Sequence, residues 1–462
     1  MRYISTRGGA PAVGFADALL AGLAPDGGLY VPETWPELSA ERIRTFANRH
    51  YTEVAAEVVG CFAGADLDPE ETAADCRAAY RRFAHSAITP LRQLDFRLWL
   101  LELFHGPTLA FKDVAMQLLA RLYDRVLVDR GRRLTIVCAT SGDTGGAAVE
   151  AFRGSSNVDL VVLFPEGRIS EVQRRFMTAA PEANVRCVAI EGTFDDCQAI
   201  VKALFADQVF ARDVDLSGVN SINWARIVAQ SVYYFTAAAA LGAPDRKVCF
   251  AVPTGNFGDA YAGYVANRMG LPIECILVAT NANDILTRAI SRGRYSRGEV
   301  VATQSPAMDI QVASNFERLY FEAVGRDAVE TARAFAAFNT TGSLDLPTQA
   351  RAGISALFVA EASSEADTQI AMADSFTWDG ELIDPHTAVA LYAARFNPYP
   401  LEGPMVVLST AHPAKFPEAV EAATGRRPAL PERVGDLYAR PERITRLPAD
   451  IEAVKAFVRA AR

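Results

Sequence analysis

Apolar residues along this chain follow two alternating patterns. Short continuous apolar runs alternate with longer segments in which apolar residues recur at helical spacing. Continuous runs are typical of strands buried on both faces, and their alternation with helices favours α/β layers with parallel strands. The sequence therefore predicts an α/β fold with strands at residues 97–103, 134–139, 160–164, 185–190, 248–252, 273–279 and 405–409.

The first ninety residues have a different pattern. Turn-forming glycines and prolines are followed by helical patterns around residues 43–62 and 69–85, and the chain breaks at 87–90. With 462 residues, the protein is too long for one hydrophobic core. We predict a small, mainly helical N-terminal domain over 1–90 and two α/β domains over 91–245 and 246–462. The arginine-rich stretch 291–303 is predicted to be an exposed loop.

Composition and charge narrow the classes of function. Half of the residues are hydrophobic and 22% are charged, as in ordinary globular proteins. The net charge of -9 argues against a nucleic-acid partner, since phosphate backbones are bound by clustered Lys and Arg. Seven scattered cysteines without a C-x-x-C pair, and only five histidines, indicate neither disulfides nor a metal site. No apolar stretch is long enough for a targeting or membrane segment, so we expect a cytoplasmic protein.

One lysine stands in a setting that suits covalent chemistry. Lys112 follows apolar and small residues in the segment 104–113, and a helical pattern begins directly after it. An apolar surround and the positive end of a helix dipole both disfavour an ammonium group, which favours the neutral amine that attacks carbonyls. We interpret Lys112 as a Schiff-base lysine, the alternative being a solvated lysine at a helix start.

Two glycine-rich loops each follow a predicted strand and precede a helical pattern. They are residues 139–146 and 253–259, and neither has the spacing of a nucleotide-binding loop. Backbone N–H groups at such strand-to-helix turns bind anions, although each could also be a tight connection that binds nothing. Two loops and one lysine in an apolar setting together suit a phosphorylated aldehyde and an anionic substrate. Pyridoxal phosphate is the cofactor that requires this set.

An ordered series of motifs resembles the threonine synthase family, in its longer type with an extra N-terminal domain and a fold similar to the β subunit of tryptophan synthase (fold type II). The motifs lie at residues 3–7, 25–30, 104–113, 139–145, 254–259, 280–284, 305–310, 314–318, 384–388 and 409–416. The resemblance implies two α/β domains with parallel-rich sheets and a pyridoxal-phosphate-dependent lyase. It also implies conversion of O-phospho-L-homoserine and water to L-threonine and inorganic phosphate.

The same resemblance implies roles for individual residues. Lys112 holds the cofactor as a Schiff base and then transfers protons. The cofactor phosphate is expected at Gly255, Asn256, Phe257, Gly258 and Asp259, and the pyridine nitrogen at Thr410, with Ser409 as the competing candidate. Asp143 is expected near the ring hydroxyl, and the substrate at Thr140, Ser141, Gly142, Asp143, Thr144, Ser314, Asn315 and Arg318.

Several residues and two other functions stay open at this point. His105, His386 and His412 could transfer protons or bind phosphate, and turn or capping roles are equally consistent with their positions. Arg318 and Lys415 could contact the leaving phosphate or form surface ion pairs. A serine or threonine dehydratase of the same fold would share the lysine and both loops. A non-catalytic relative that binds pyridoxal phosphate is the other alternative. The oligomeric state is left open.

Overall fold

A computed structural model describes residues 1–460, and its strands are mostly short. The strands are β1 (Tyr3–Ser5), β2 (Tyr30–Pro32), β3 (Leu91–Gln93), β4 (Leu98–Glu102), β5 (Leu134–Ala139), β6 (Val158–Pro165), β7 (Val185–Glu191), β8 (Leu216–Ser217), β9 (Val248–Pro253), β10 (Ile273–Thr280), β11 (Arg294–Ser296), β12 (Ser343–Asp345), β13 (Phe358–Ala362), β14 (Met405–Ser409) and β15 (Thr445–Pro448). All seven strands predicted from the apolar runs are present, with ends that differ by at most two residues.

Nineteen α-helices surround these strands in the part of the chain that is described. They are α1 (Phe15–Ala21), α2 (Ala40–Thr45), α3 (Tyr51–Ala63), α4 (Pro69–Tyr80), α5 (Lys112–Asp129), α6 (Asp143–Phe152), α7 (Glu171–Thr178), α8 (Phe194–Ala206), α9 (Gln208–Asp213), α10 (Trp224–Ala240), α11 (Gly258–Arg268), α12 (Ile285–Arg292), α13 (Phe316–Ala323), α14 (Ala328–Thr341), α15 (Thr348–Ser355), α16 (Glu365–Asp374), α17 (Pro385–Arg395), α18 (Pro417–Thr424) and α19 (Ile451–Ala460).

Two sheets form the α/β part of the molecule. The larger has the order β13-β10-β9-β14-β4-β3, in which only β3 is antiparallel to its neighbour, and the smaller is an all-parallel sheet with the order β15-β7-β6-β5-β8. Every residue of β6, β9 and β14 is buried, because helices cover both faces. This explains the continuous apolar runs and confirms the predicted α/β class.

Neither sheet is built from one continuous part of the chain. β3 and β4 precede residue 245 but lie in the sheet built otherwise from later strands, and β15 joins the earlier strands in the smaller sheet. Sheet membership alone does not fix where a domain begins or ends, so the domain limits at 90 and 245 stay a prediction. What the topology establishes is that the chain crosses between the two sheets.

The N-terminal region is mainly helical, as predicted, with one two-stranded antiparallel sheet of β1 and β2. It packs on α10 through an aromatic cluster. The ring of Trp224 lies 5.9 Å from that of Tyr3 and 5.6 Å from that of Phe62, between ring centroids. Such pairs add to the free energy of burying large apolar surfaces.

The prediction of an exposed loop over residues 291–303 is wrong in part. Arg294–Ser296 is strand β11, paired antiparallel with β12, and Tyr295 is fully buried against the rings of Phe316 and Phe338. The Tyr295 hydroxyl accepts a hydrogen bond from the Ala313 N–H at 2.7 Å. The exposed loop was predicted from the charge of the arginines, whereas the single aromatic residue between them determines how the segment packs.

Candidate active site

Lys112 is the first residue of α5 and lies at the meeting point of two distant segments. Ala110 forms an isolated antiparallel bridge with Ala411, and the Phe111 N–H donates to the Thr410 carbonyl at 2.8 Å. The Lys112 side chain is 13% exposed. Burial lowers the pKa of its amine below the ordinary value, as the sequence predicted. The Asp143 carboxylate opposes this effect, and the charges of Lys415 and Arg226 add to it.

Asp113 fixes the loop that precedes Lys112. Its buried carboxylate accepts hydrogen bonds from the Thr108 N–H at 2.7 Å and from the Thr108 hydroxyl at 2.8 Å. A Cβ on Gly106 would lie 2.4 Å from Asp113 Cβ, so only glycine fits there. Leu109 takes a φ of +63°, a conformation that costs a non-glycine residue energy and persists because its surroundings hold it.

Asp143 lies between the buried Lys415 and the largely buried Lys112. Its Oδ1 is 2.8 Å from Lys415 Nζ and its Oδ2 is 3.7 Å from Lys112 Nζ, and Gln173 donates to Oδ1 at 2.9 Å. Burial opposes ionisation of Asp143, but Lys415 and then Lys112 outweigh it and hold its pKa below the ordinary range. Because the Asp143 carboxylate is closer to Lys415 than to Lys112, it attracts the charged form of Lys112 less strongly.

Lys415 is therefore not in a surface ion pair. Its side chain is 1% exposed, and Nζ also donates to the Thr108 carbonyl at 2.8 Å. Its charge lowers the pKa of Lys112 further, after the larger effect of burial. The sequence identified both lysines but gave no sign that one carboxylate joins them.

The loop after β5 leads directly into α6. The Thr140 hydroxyl accepts from the N–H groups of Gly142, at 2.9 Å, and Gly145, at 3.0 Å, so it shapes the loop. Gly142 has a φ of +143°, which favours glycine. Ser141 and Thr144 hydroxyls have no hydrogen-bond partner within residues 1–460, which leaves both free for a substrate.

The second loop, after β9, leads into α11 and is held by the two residues that precede α13. A Cβ on Gly255 would lie 2.8 Å from the Ala307 carbonyl oxygen. Phe257, not a glycine, adopts the left-handed conformation, with a φ of +64° and a buried side chain. The Asn256 carbonyl accepts from the Asn315 N–H and from Asn315 Nδ2, both at 3.1 Å, and Ser314 Oγ donates to Asn256 Oδ1 at 3.1 Å.

Asp259, in the first turn of α11, is a buried carboxyl group. The Tyr233 hydroxyl donates to its Oδ1 at 2.5 Å and the Tyr234 hydroxyl at 3.1 Å, while Oδ2 has no partner in the described part of the chain. Burial raises the pKa of Asp259 from 3.8 to about 7, against the opposing effect of the two tyrosines. Asp259 contacts α10, and this contact anchors the start of α11.

Thr410 and Ser409 have different surroundings at the end of β14. Ser409 Oγ lies 3.2 Å from Thr387 Oγ1, whose hydroxyl in turn donates to Asp384. The Thr410 hydroxyl has no hydrogen-bond partner among residues 1–460, and Thr410 directly precedes Ala411, which forms the bridge beside Lys112. The alternation of side chains along a strand agrees with this difference.

The remaining candidates have structural contacts. His386 Nδ1 lies 2.8 Å from Asp384 Oδ1, and its Nε2 accepts from the Ala307 N–H at 3.2 Å. His412 accepts from the Ala414 N–H at 3.2 Å, and burial lowers its pKa to about 4. His105 Nε2 lies 2.6 Å from Glu102 Oε2.

Arg318 is fully buried, and its guanidinium donates to the carbonyls of Tyr30, at 3.0 Å, and Ile222, at 2.6 Å. It also donates to Asn315 Oδ1. These contacts leave the predicted substrate contact of Arg318 without support. The surface ion pair considered for Arg318 is likewise absent, since the residue has no exposed surface.

Arg226 is a residue that the sequence reasoning missed. It is buried on α10, its Nη1 donates to the Val219 carbonyl at 3.0 Å, and its Nε has no partner in the described residues. Burial lowers its pKa to about 10, and its charge contributes to the lowered pKa of Lys112. A buried guanidinium with an unpaired nitrogen is a candidate contact for a substrate anion.

The residues present fit pyridoxal phosphate. Lys112 offers a buried amine, Thr410 offers an unpaired hydroxyl, and the loop at 255–258 offers backbone N–H groups at a helix start. No group of three or more His, Cys, Asp or Glu side chains able to hold a metal ion occurs within 1–460. No helix in that range is long and apolar enough to cross a membrane.

Comparisons with known proteins agree along the whole chain. Residues 2–80 match the family described as Threonine synthase N terminus, 83–372 match Pyridoxal-phosphate dependent enzyme, and 387–458 match Threonine synthase, C-terminal. Threonine synthase of Pseudomonas aeruginosa is 52% identical, covering 99% of this chain and 98% of that protein.

Solved structures agree as well. The crystal structure of PLP-bound threonine synthase from Brucella melitensis superposes with a TM-score of 0.97 at 52% identity, covering 100% of this chain and 99% of the other. The Escherichia coli threonine synthase structure gives 0.84 at 33% identity, with full coverage of both chains. The chain belongs to the threonine synthase family of pyridoxal-phosphate-dependent enzymes.

Proposed function

We propose that this site converts O-phospho-L-homoserine and water to L-threonine and inorganic phosphate, with pyridoxal phosphate as cofactor. The chain is a pyridoxal-phosphate-dependent lyase by its family. Bound pyridoxal phosphate supplies an electron sink for negative charge that develops on the substrate carbons. The assignments below concern what the residues of this chain contribute.

Lys112 is the residue that we assign to covalent attachment and proton transfer. Its buried position and the bridge between Ala110 and Ala411 hold the amine at one place. Because burial lowers the pKa of Lys112, the neutral amine that attacks a carbonyl is favoured, and the same amine can take up and return protons at the substrate carbons. The observation that carries the proposal is this amine, buried beside Asp143.

The two loops receive the anions in this proposal. Gly255, Asn256, Phe257 and Gly258 direct backbone N–H groups to the cofactor phosphate, and Asp259 fixes the start of α11. Ser141 and Thr144, together with the N–H groups at the start of α6, receive the substrate carboxylate. Asp143 would contact the ring hydroxyl of the bound cofactor, and Thr410 would contact its pyridine nitrogen.

Location and partners follow from composition. The seven cysteines are free thiols in the described chain, which supports a reducing, cytoplasmic location. The net charge of -9 supports a small-molecule substrate without a nucleic-acid partner.

The test is Lys112→Ala, assayed with O-phospho-L-homoserine by phosphate and threonine release. We expect a loss of at least about a thousandfold, since attachment and proton transfer fail together. Lys202→Ala, on the exposed face of α8, is the matched control and should retain the parent rate. A Lys112→Ala variant near the parent rate would contradict the proposal, and ammonia release by the parent would indicate a dehydratase.

A further inference from the structure

Arg318 joins three segments that are far apart in the sequence. From α13 its guanidinium donates to the Tyr30 carbonyl in β2, to the Ile222 carbonyl before α10, and to Asn315 Oδ1. The side chain is fully buried, so these contacts are not shared with solvent. A planar guanidinium with three acceptors in fixed directions sets the orientation of each.

Asn315 passes this orientation to the loop after β9. With its Oδ1 held by Arg318, its Nδ2 donates to the carbonyls of Asn256 and Ser221, both at 3.1 Å. The Asn315 N–H donates to the same Asn256 carbonyl at 3.1 Å. Because the peptide unit is planar, fixing the Asn256 carbonyl also fixes the direction of the Phe257 N–H.

The N-terminal region holds α13 at a second point. Glu317, adjacent to Arg318, accepts from the Thr6 hydroxyl at 2.7 Å, and from Arg7 Nε at 3.0 Å and Nη2 at 2.7 Å. The Glu317 side chain is 6% exposed. One end of the β1–β2 sheet, where Ser5 pairs with Tyr30, therefore contacts both Glu317 and Arg318.

We propose that the N-terminal region aligns the cofactor-phosphate loop through Arg318 and Asn315, which are positioning residues and not substrate ligands. The inference rests on the proposed assignment of the loop 255–258 to the cofactor phosphate. In this arrangement Arg318 orients Asn315, Asn315 orients the Asn256 carbonyl, and the N–H groups that follow point at the phosphate. The N-terminal region thus contributes to cofactor affinity without contacting the cofactor.

The experiment compares two ligands on the full-length apo protein. Pyridoxal phosphate and pyridoxal share the ring and the aldehyde, and they differ in the phosphate group. In Arg318→Met we expect affinity for pyridoxal phosphate to fall about tenfold, the effect of one misdirected hydrogen bond to an anion, while pyridoxal affinity stays within about twofold. A general loosening of the structure would weaken both ligands equally.

Arg7→Met keeps the test decisive if Arg318→Met does not fold. It removes the two Arg7 contacts to Glu317 at a half-buried position, and we expect a smaller loss, about threefold, again confined to pyridoxal phosphate. The matched control is Arg326→Met. Arg326 donates to the carbonyls of Pro32 and Glu33 and so ties the same N-terminal strand to the end of α13 without touching Asn315. In Arg326→Met, the ratio of the affinity for pyridoxal phosphate to the affinity for pyridoxal should equal that of the parent.

Two results would overturn the inference, and they differ. If the parent binds pyridoxal as tightly as pyridoxal phosphate, the loop does not hold the phosphate, and the underlying assignment fails. The other result is a parent that binds pyridoxal phosphate more tightly than pyridoxal, with Arg7→Met and any folded Arg318→Met that lose affinity for both ligands equally or for neither. In that case the proposed alignment through Arg318 is wrong, while the assignment of the loop to the phosphate stands.

Discussion

Asp259→Asn tests whether a buried carboxyl at the start of α11 is held uncharged. Asparagine keeps an oxygen for the hydroxyls of Tyr233 and Tyr234 and cannot ionise. Burial raises the pKa of Asp259 from 3.8 to about 7, so the folded protein binds this proton more tightly than the unfolded chain does. The parent is therefore expected to gain stability relative to the variant as the pH falls from 8 to 5.

The magnitude follows from the two pKa values. A difference of one unit between the folded and unfolded pKa corresponds to a free energy of about 1.4 kcal/mol. At pH 8 the ionisable carboxyl costs the folded state about 4.3 kcal/mol relative to a group that stays neutral, and at pH 5 the cost is about 1.7 kcal/mol. The difference in unfolding free energy between parent and variant should thus change by about 2.6 kcal/mol over this range.

The assay is urea unfolding of both apo proteins at pH 5, 6, 7 and 8. Any cost of the new amide nitrogen is independent of pH in this range and cancels when the two ends are compared. Asp345→Asn supplies the baseline, because the Asp345 side chain is 85% exposed and far from this helix in the sequence. A parent-to-variant difference that is constant from pH 5 to 8 would refute the reasoning.

Three further predictions concern the site. Thr410→Val should shift the visible absorbance of the bound cofactor and lower turnover, with Ser409→Ala nearly silent; the opposite pattern would move the assignment to Ser409. Gly255→Ala should weaken cofactor binding in an apo-protein titration by about tenfold, because its Cβ displaces the adjoining turn, and unchanged affinity would contradict this. Lys415→Met should lower the unfolding free energy by about 3–5 kcal/mol, by leaving the Asp143 carboxylate short of a partner. It should also raise the pKa of Lys112, so that cofactor attachment requires a higher pH; attachment with the parent's pH dependence would count against it.

The sequence predicted those parts of the fold and site that depend on local pattern. Continuous apolar runs placed seven strands, since strands buried on both faces leave no polar positions. The segment before α5 located Lys112, since an apolar surround for a lysine is visible in the chain itself. The glycines at 142 and 255 are likewise local requirements, one for φ and one for close approach.

The sequence could not predict features that depend on distant partners. Nothing near Arg318 indicates that its acceptors lie in residues 30 and 222, so an exposed role and a substrate role were equally open. The pairing of Lys415 with Asp143 spans most of the chain. Strand β4 was found, but its neighbour β14 follows about three hundred residues later, and no local pattern encodes that choice.

The bridge between Ala110 and Ala411 also has a consequence for the order of events during synthesis. The segment that fixes Lys112 is made about three hundred residues after the lysine itself, and closing so large a loop carries an entropic cost. A growing chain therefore lacks the complete cofactor site until most of it has left the ribosome. The cofactor is thus expected to bind after the polypeptide has assembled, and its supply should govern how much finished protein is active more than how the chain folds.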